Sequence, residues 1–489
     1  MLNQVQDAQT VPAGKTEQLV SDLLLALRTA PDTLPIALAA ANQRTPFSCR
    51  HKVRAIEAWA EAQSHELHPD DLVSLLGVVA DEVRHDPAPL VAMAIQLRRS
   101  NKLELASEAI KKALSRARQD LYCQEVAVDI YSTIDKNVPS QDVIADYLAS
   151  KFCAEPFKTL ELTPQGDAFV CCPDWLPVSI GNINEDAASE LWHSGAAQAL
   201  RESIVDRSFR YCSKTNCALI AGRTLPPADS KSATEAVAAF SANKAGSPES
   251  TPTHLILSHD RSCNLSCPSC RNDLFLANKT EQARLDVIAE NVILPLLKHA
   301  HSVKITGSGD PFGSNHFRNI IKRINRRDFP ELAIDLHTNG QLFDERAWSD
   351  LEMEGTVAYT QISIDAARSD TYKIVRRGGD FGRLTKNLAF IRSLRRRGQI
   401  SRLDFSFVVQ TRNFREMPEF ANLAEEFGAD CVSFSMIRNW GTFQADEYAA
   451  EFIGSSSHAD HREFLEVLRN PALSKEFVFL GNLSDYVQG

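Results

Sequence analysis

Three cysteines, Cys263, Cys267 and Cys270, stand at the spacing C-x3-C-x2-C directly after an apolar run at 254–258. Thiolate sulfur is a preferred ligand of soft metal centres, and three thiolates on a four-iron four-sulfur cluster leave one iron without a protein ligand. A zinc site usually takes four protein ligands in two pairs, and no second pair lies close by in sequence. A disulfide framework is typical of small secreted chains. The motif therefore predicts an iron–sulfur cluster with one iron open to chemistry.

Strand-like and helix-like segments alternate downstream of this motif. Strands are predicted at 254–258, 302–306, 332–336, 358–364, 402–409 and 430–435, and helices are predicted to begin near 280, 314, 344, 381, 413 and 461. This alternation is typical of a parallel sheet built from βα units. In such sheets the reactive groups gather at the carboxyl ends of the strands.

The cysteine motif and the six βα units together resemble the radical S-adenosylmethionine (SAM) superfamily. The resemblance implies an α/β fold with a partial (β/α)6 barrel over 254–445. It also implies a four-iron four-sulfur cluster whose open iron chelates SAM, and reductive cleavage of SAM to a 5'-deoxyadenosyl radical. A flavodoxin or ferredoxin would supply the electron. One departure is Ser269, because many family members carry an aromatic residue just before the third cysteine.

The ends of two predicted strands resemble SAM-binding segments of that family. The loop Thr306-Gly-Ser-Gly-Asp310 resembles the motif that binds the amino group of SAM, and Ser363 and Asp365 resemble residues that hydrogen-bond its ribose or carboxylate. The implied SAM contacts are Gly307, Ser308, Gly309, Asp310, Ser363 and Asp365. An ordinary βα turn at the first segment and helix capping at the second stay open as alternatives.

A second cysteine set precedes the barrel, with Cys153, Cys171, Cys212 and Cys217 able to ligate one cluster or one zinc ion. Its G-x4-C spacing, Cys-Cys pair and Ile-Gly-Asn-Ile turn resemble a SPASM or twitch domain, which implies one auxiliary four-iron four-sulfur cluster. Cys172 is the spare thiol. The order is unusual, because this domain follows the core in most relatives. A structural zinc knuckle stays open as the alternative.

The rest of the chain divides by composition. Residues 1–150 carry apolar residues at helical spacing and predict an all-helical domain, tetratricopeptide-like or a plain bundle, with a groove for a partner protein in the first case. Residues 151–222 form the cysteine-rich domain, 223–253 an Ala-, Ser- and Pro-rich linker, and 446–489 a helical extension. The four thiols outside both predicted ligand sets, Cys49, Cys123, Cys172 and Cys431, are predicted to be small buried hydrophobic residues.

Charge and hydropathy indicate which partners and which cellular location to expect. A formal net charge of -10 gives no general attraction to nucleic acid or to an anionic membrane. Residues 1–14 lack the features of a secretory signal, and no stretch reaches the ~18 apolar residues of a membrane span. We therefore expect a cytoplasmic protein without nucleic-acid or membrane partners.

The leading hypothesis is a radical SAM enzyme that abstracts hydrogen from a peptide or protein. The loop Val375-Arg-Arg-Gly-Gly379 resembles one found in relatives that act on peptides. Its Arg376 or Arg377 would meet an anionic group, with a solvated surface position as the favoured alternative. A dehydrogenase or epimerase acting on a carbohydrate or small metabolite is the second hypothesis. A non-catalytic iron–sulfur scaffold is the third.

Overall fold

The structure is a computed structural model. It describes residues 49–62, 69–117, 119–134, 141–244, 251–305 and 308–487. The chain forms two compact units, the first comprising Met1–Leu160 with Asp167–Ser250 and the second Glu161–Gly166 with Thr251–Gly489. Within the described residues, no helix is both long and apolar enough to cross a membrane.

The first unit begins with a run of helices. They are α1 (Cys49–Ala62), α2 (Pro69–Glu82), α3 (Ala88–Arg99), α4 (Leu103–Arg116), α5 (Leu121–Ile134) and α6 (Gln141–Ala149). Alanines on the facing sides of α3 and α4, such as Ala92 and Ala106, are fully buried, and their small side chains let the two helices approach closely. The helical prediction is confirmed over this stretch, while its first part, residues 1–48, lies outside the described residues.

Short elements follow in the cysteine-rich part of the chain. They are α7 (Glu155–Lys158), β1 (Thr159–Leu162), β2 (Asp167–Phe169), β3 (Gly181–Asn182), α8 (Ala188–Trp192), α9 (Gly195–Val205) and α10 (Ala218–Ala221). Strands β2 and β3 pair antiparallel. The buried guanidinium of Arg201 donates to the carbonyls of Pro156 and Trp192 at 2.8 Å each. This one side chain therefore ties α9 to both α7 and α8.

The predicted linker at 223–253 is wrong over much of its length. Helix α11 (Lys231–Lys244) lies inside it and buries Ala233 and Phe240. The amide of Ala228 also donates to the carbonyl of Ser150 at 2.9 Å. Alanine, which suggested a linker by composition, is also the strongest helix former.

The second unit contains a parallel sheet. Its strands are β4 (His254–Leu257), β5 (Ser302–Ile305), β6 (Ala333–Thr338), β7 (Val357–Ser363), β8 (Arg402–Val409), β9 (Cys431–Met436) and β10 (Val478–Phe479), and each pairs in parallel with the strand next to it in this order. The six predicted strands are therefore present in the predicted order. Strand β10 is an addition, and it falls within the predicted helical extension.

Helices connect these strands. They are α12 (Lys279–Ile288), α13 (Leu294–Leu297), α14 (Asn315–Arg323), α15 (Glu345–Asp350), α16 (Ser369–Val375), α17 (Phe381–Arg396), α18 (Met417–Phe427), α19 (Ala445–Glu451), α20 (His461–Leu468) and α21 (Ser484–Val487). Because all strands run the same way, the loops after β4, β5, β6 and β7 meet at one edge of the sheet. The cysteine motif is the loop after β4.

Candidate metal and cofactor sites

The loop after β4 brings the three cysteines of the motif to one cavity. Cys263 and Cys267 are buried, whereas Cys270 is exposed. The amide of Cys270 donates to the carbonyl of Cys267 at 2.9 Å, which makes a tight turn between the second and third thiols. Upstream, the carboxylate of Asp260 accepts from the amide and hydroxyl of Ser262 at 2.9 Å each, so the start of the loop is fixed as well.

Each of the three sulfurs has an N–H donor nearby. Asn339 Nδ2 lies 3.7 Å from Cys263 Sγ, Arg376 Nη1 lies 3.8 Å from Cys267 Sγ, and Arg271 Nη2 lies 3.6 Å from Cys270 Sγ. Donors and cations around sulfur stabilise thiolate charge. The arrangement fits a bound cluster better than three neutral thiols.

Burial of Cys263 and Cys267 has the opposite effect, because it favours the protonated thiol over the thiolate. It raises the pKa of Cys263 to about 12. It also raises the pKa of Cys267, although the Arg376 guanidinium acts to lower it. Without a metal these thiols would hold their protons at neutral pH, and a bound cation would be needed to keep them as thiolates.

The loop after β5 packs against the cysteine loop. A Cβ on Gly309 would lie 2.5 Å from the carbonyl oxygen of Asp260 and 2.6 Å from that of Ser262. The glycine is therefore needed for contact between two loops, where the sequence suggested contact with a ligand. Ser308 accepts a hydrogen bond from Arg271 through its carbonyl. Gly307 lies outside the described residues.

Asp310 is buried, and protein groups surround its carboxylate. Oδ2 accepts from the hydroxyl of Thr338 at 2.7 Å and the amide of Asn339 at 2.8 Å, while Oδ1 accepts from the amides of Phe312 and Gly313. A carboxylate offers about four acceptor positions, and these four donors use them. These contacts join the loops after β5 and β6, and the contact of Asp310 with the SAM ammonium stays a prediction.

Ser363 and Asp365, at the end of β7, have different partners. Ser363 Oγ lies 2.8 Å from His337 Nε2 and 3.0 Å from Ser406 Oγ. Asp365 has a left-handed backbone with φ 61°, and its carboxylate forms a 2.8 Å ion pair with Arg376. Ser363 lines the cavity, whereas Asp365 acts on it through Arg376.

Arg376 was expected at a solvated surface position, and this prediction is wrong. Its side chain is 11% exposed, it pairs with Asp365, and it lines the cavity beside Cys267. Its Nε is buried and has no hydrogen-bond partner among the described residues. Arg271, which directly follows the third cysteine, was also missed. Both are arginines within or beside the motifs, which is the only signal that the sequence carries for them.

The second cysteine set converges in the first unit. Its four predicted ligands line one cavity together with apolar side chains. The cysteines are Cys153, Cys171, Cys212 and Cys217, and the apolar residues include Trp175, Leu176, Phe209, Ile220 and Leu225. Cys172 is not among the residues that line this cavity. The geometry therefore favours Cys171 over its neighbour.

The thiols of this set lie close enough to affect one another. Burial raises the pKa of Cys171, and the nearby Cys153, Cys212 and Cys217 raise it further. Burial raises the pKa of Cys212 to about 11. The Lys214 ammonium lies beside them and donates to the carbonyl of Cys212 at 3.1 Å. Four converging thiols in an apolar setting fit a fully ligated metal centre.

Two family models match these regions. Residues 153–218 match SPASM, described as an iron-sulfur cluster-binding domain, and residues 257–424 match the radical SAM superfamily. The two domains imply a four-iron four-sulfur cluster with SAM in the second unit and auxiliary iron–sulfur ligation in the first.

Curated proteins are similar in sequence to part of this chain. PqqA peptide cyclase of Gluconobacter oxydans (strain 621H) is 28% identical over 194 residues, which are 39% of this chain and 51% of that protein. GTP 3',8-cyclase of Alkaliphilus metalliredigens (strain QYMF) is 31% identical over 164 residues, or 33% of this chain and 49% of that protein. The chain thus spans about half the length of these curated relatives.

Among solved structures, Streptococcus suis SuiB is similar with 15% identity and a TM-score of 0.34, covering 62% of this chain and 66% of that chain. On the two family matches, residues 257–424 form a radical SAM domain, and a SPASM iron–sulfur domain at residues 153–218 precedes it in the sequence.

Proposed function

We propose that this chain is a radical SAM enzyme that abstracts hydrogen from a peptide or protein substrate. The observation that carries the proposal is the convergence of Cys263, Cys267 and Cys270 with the arginine and asparagine donors at the strand ends. When bound there, the cluster would deliver one electron to the sulfonium of SAM, and C–S cleavage would give methionine and the 5'-deoxyadenosyl radical.

The protein groups around the cavity would hold and orient the cofactor. The three cysteines ligate the cluster, and Arg271, Asn339 and Arg376 stabilise the negative charge on sulfur. The unpaired Nε of Arg376 is suited to the carboxylate of SAM, because a guanidinium binds carboxylates through charge-assisted hydrogen bonds. Asp365 fixes that guanidinium in place.

His337 and Ser363 supply a neutral polar wall. Burial lowers the pKa of His337 to about 3, with further lowering by Lys304 and Arg376. The imidazole is therefore uncharged at neutral pH, and its Nε2 forms a hydrogen bond with the hydroxyl of Ser363. We assign this pair to positioning the ribose of SAM, and the loop held by Asp310 to shaping the cavity.

The peptide class of substrate rests on the similarity to a protein named PqqA peptide cyclase. The similarity to GTP 3',8-cyclases favours a small molecule as the second candidate class. A flavodoxin or ferredoxin as electron donor, and a partner protein bound at helices α1 to α6, belong to the same proposal. So does a cytoplasmic location, since iron–sulfur thiolates persist in a reducing compartment.

The first test is 5'-deoxyadenosine formation by the anaerobically reconstituted protein with dithionite and SAM. We expect turnover in the wild type and none in the Cys263→Ala/Cys267→Ala/Cys270→Ala variant, because the open-iron cluster is lost. Cys431→Ala, which removes a thiol at the start of β9, is the matched control and should keep the wild-type rate. Equal rates in the wild type and the triple variant would leave a non-catalytic scaffold as the better account.

The substrate class is tested by adding fractions of a cell extract to the same assay. A peptide fraction that stimulates 5'-deoxyadenosine formation, and loses this effect after protease treatment, would support a peptide substrate. Stimulation by the protease-resistant small-molecule fraction alone would favour the second candidate class.

A further inference from the structure

Two cysteines outside both clusters meet inside the helical part of the first unit. Cys49 is the first residue of α1 and Cys123 lies in the first turn of α5, and their sulfurs are 3.8 Å apart. Both are buried, as the sequence predicts, with 4% and 0% of their surfaces exposed. These two thiols are 74 residues apart in the chain, and no local pattern predicts that they form a pair.

A carboxylate completes a set of three ligands. Asp120 precedes α5, and its Oδ1 accepts from the amides of Tyr122 and Cys123 at 3.0 and 2.9 Å. A carboxylate oxygen of Asp120 and the sulfurs of Cys49 and Cys123 all lie within 4.8 Å of one another. The capping bonds fix the carboxylate beside the two thiols.

Neighbouring contacts hold α1 against the start of α5. Arg50 pairs with Glu125, and the Arg50 guanidinium lies 4.9 Å from the centre of the Tyr122 ring. These contacts come from the residues that directly follow each cysteine or lie within two positions of it. The distance between the two thiols is therefore set by packing on both helices.

The separation of the sulfurs fits a shared metal better than a disulfide. Two thiolates bound at ~2.3 Å to a tetrahedral ion stand about 3.8 Å apart, which is the distance observed. A disulfide bond would need the sulfurs at ~2.05 Å. Two thiolates with one carboxylate are a donor set suited to zinc, with a solvent molecule in the fourth position.

We propose that Cys49, Cys123 and Asp120 form a zinc site with three protein ligands that joins α1 to α5, independent of the two iron–sulfur sites. Binding of Zn²⁺ displaces the two thiol protons to solvent, so the site holds one divalent cation against two thiolates and one carboxylate. No redox change takes place.

The test is the zinc content of the full-length reconstituted protein after incubation with one equivalent of zinc. We expect the wild type to hold about one zinc per chain more than Cys49→Ser or Cys123→Ser, with the same iron content in all three. Cys431→Ser is the matched control, because it removes a thiol of the second unit, and its zinc content should equal that of the wild type.

Asp120→Asn guards against misfolding of the cysteine variants, because asparagine also caps helices but is a poorer zinc ligand. It should keep the helical circular dichroism of the wild type and bind zinc at least about tenfold more weakly. Zinc-edge X-ray absorption of the wild type should show sulfur ligands at ~2.3 Å that the Cys49→Ser protein lacks.

Equal zinc content in the wild type and both cysteine variants would overturn the proposal. It would also be overturned if the wild type, denatured without reductant, lacked two titratable thiols that reappear on reduction, because the pair would then be a disulfide. Neither result would bear on 5'-deoxyadenosine formation, so the zinc site and the proposed function fail separately.

Discussion

The two cysteine sites differ in how their ligands are supplied and in what surrounds them. In the second unit three thiols come from a single loop and share their cavity with Arg271, His337, Ser363 and Arg376. In the first unit four thiols come from three segments, at Cys153, at Cys171 and at Cys212 with Cys217, and the other lining residues are mostly apolar. A site with polar groups and without a fourth protein ligand can bind a charged cofactor. A site with four thiols and apolar walls instead encloses its metal completely.

Removal of one ligand from the closed site should have the largest effect. Cys171→Ala should lose the auxiliary cluster, about four irons per chain, because three thiols in an apolar cavity no longer enclose it. Cys172→Ala, the adjacent thiol outside the cavity, is the control and should keep all of its iron. If Cys172→Ala lost the iron and Cys171→Ala kept it, the ligand assignment would be reversed.

The open site should depend strongly on the guanidinium of Arg376. Arg376→Lys keeps a positive charge but loses the fork that reaches Asp365 and Cys267, so we expect the KM for SAM to rise about 10- to 100-fold. The measurement is the rate of 5'-deoxyadenosine formation against SAM concentration.

Arg368→Lys is the control for that change, because Arg368 pairs with Glu419 at an exposed position. An unchanged KM in Arg376→Lys would show that the carboxylate of SAM is bound elsewhere.

Substitution of Asp310 tests whether its carboxylate stabilises the fold or contacts the cofactor. Asp310→Asn turns an amide N–H₂ toward two of the four donors, so we expect a loss of about 2 to 4 kcal/mol in the free energy of unfolding. Anaerobic urea titration measures it. A raised KM for SAM with unchanged stability would instead restore the direct contact with the SAM ammonium that the sequence suggested.

The smallest expected effect is a dependence of stability on pH in the second unit. His337 has a pKa of about 3 in the folded protein because it is buried, against ~6.5 when unfolded. The unfolded chain therefore binds more protons below pH ~6.5, and the free energy of unfolding falls as the pH drops from that value toward 3.

His337→Gln should reduce this slope by up to about 1.4 kcal/mol per pH unit below pH ~6, as measured by urea titration between about pH 7 and pH 5. The described residues that line the auxiliary cavity include no histidine, so the Cys172→Ala protein should keep the wild-type slope. An identical slope in His337→Gln would mean that His337 is not neutralised by burial.

Local patterns explain why much of the sheet could be predicted. The predicted strand at 402–409 matches β8 to the residue, and the one at 302–306 matches β5 up to residue 305, beyond which residue 306 lies outside the described residues. In both strands apolar residues largely alternate with polar ones, which is the period expected of a strand. The two residues of β10 carry no such signal, and they form a strand only because β9 offers them an edge.

Side-chain partners that are distant in sequence could not be predicted in the same way. Burial of Arg376 requires the carboxylate of Asp365 at the end of β7, and arginine is otherwise rarely buried. Asp310 looked free to bind a ligand because its four donors come from the backbone and from the end of the next strand. The pairing of Cys49 with Cys123 likewise depends on how α1 and α5 pack.

We infer that the chain holds two different iron–sulfur sites, one open and one closed. Iron and sulfide analysis with electron paramagnetic resonance of the reduced protein tests it, comparing the wild type with the Cys263→Ala/Cys267→Ala/Cys270→Ala variant. We predict about eight irons in the wild type and about four in the variant, with a signal that SAM shifts only in the wild type. The same iron content in both proteins would show that Cys263, Cys267 and Cys270 do not hold a cluster.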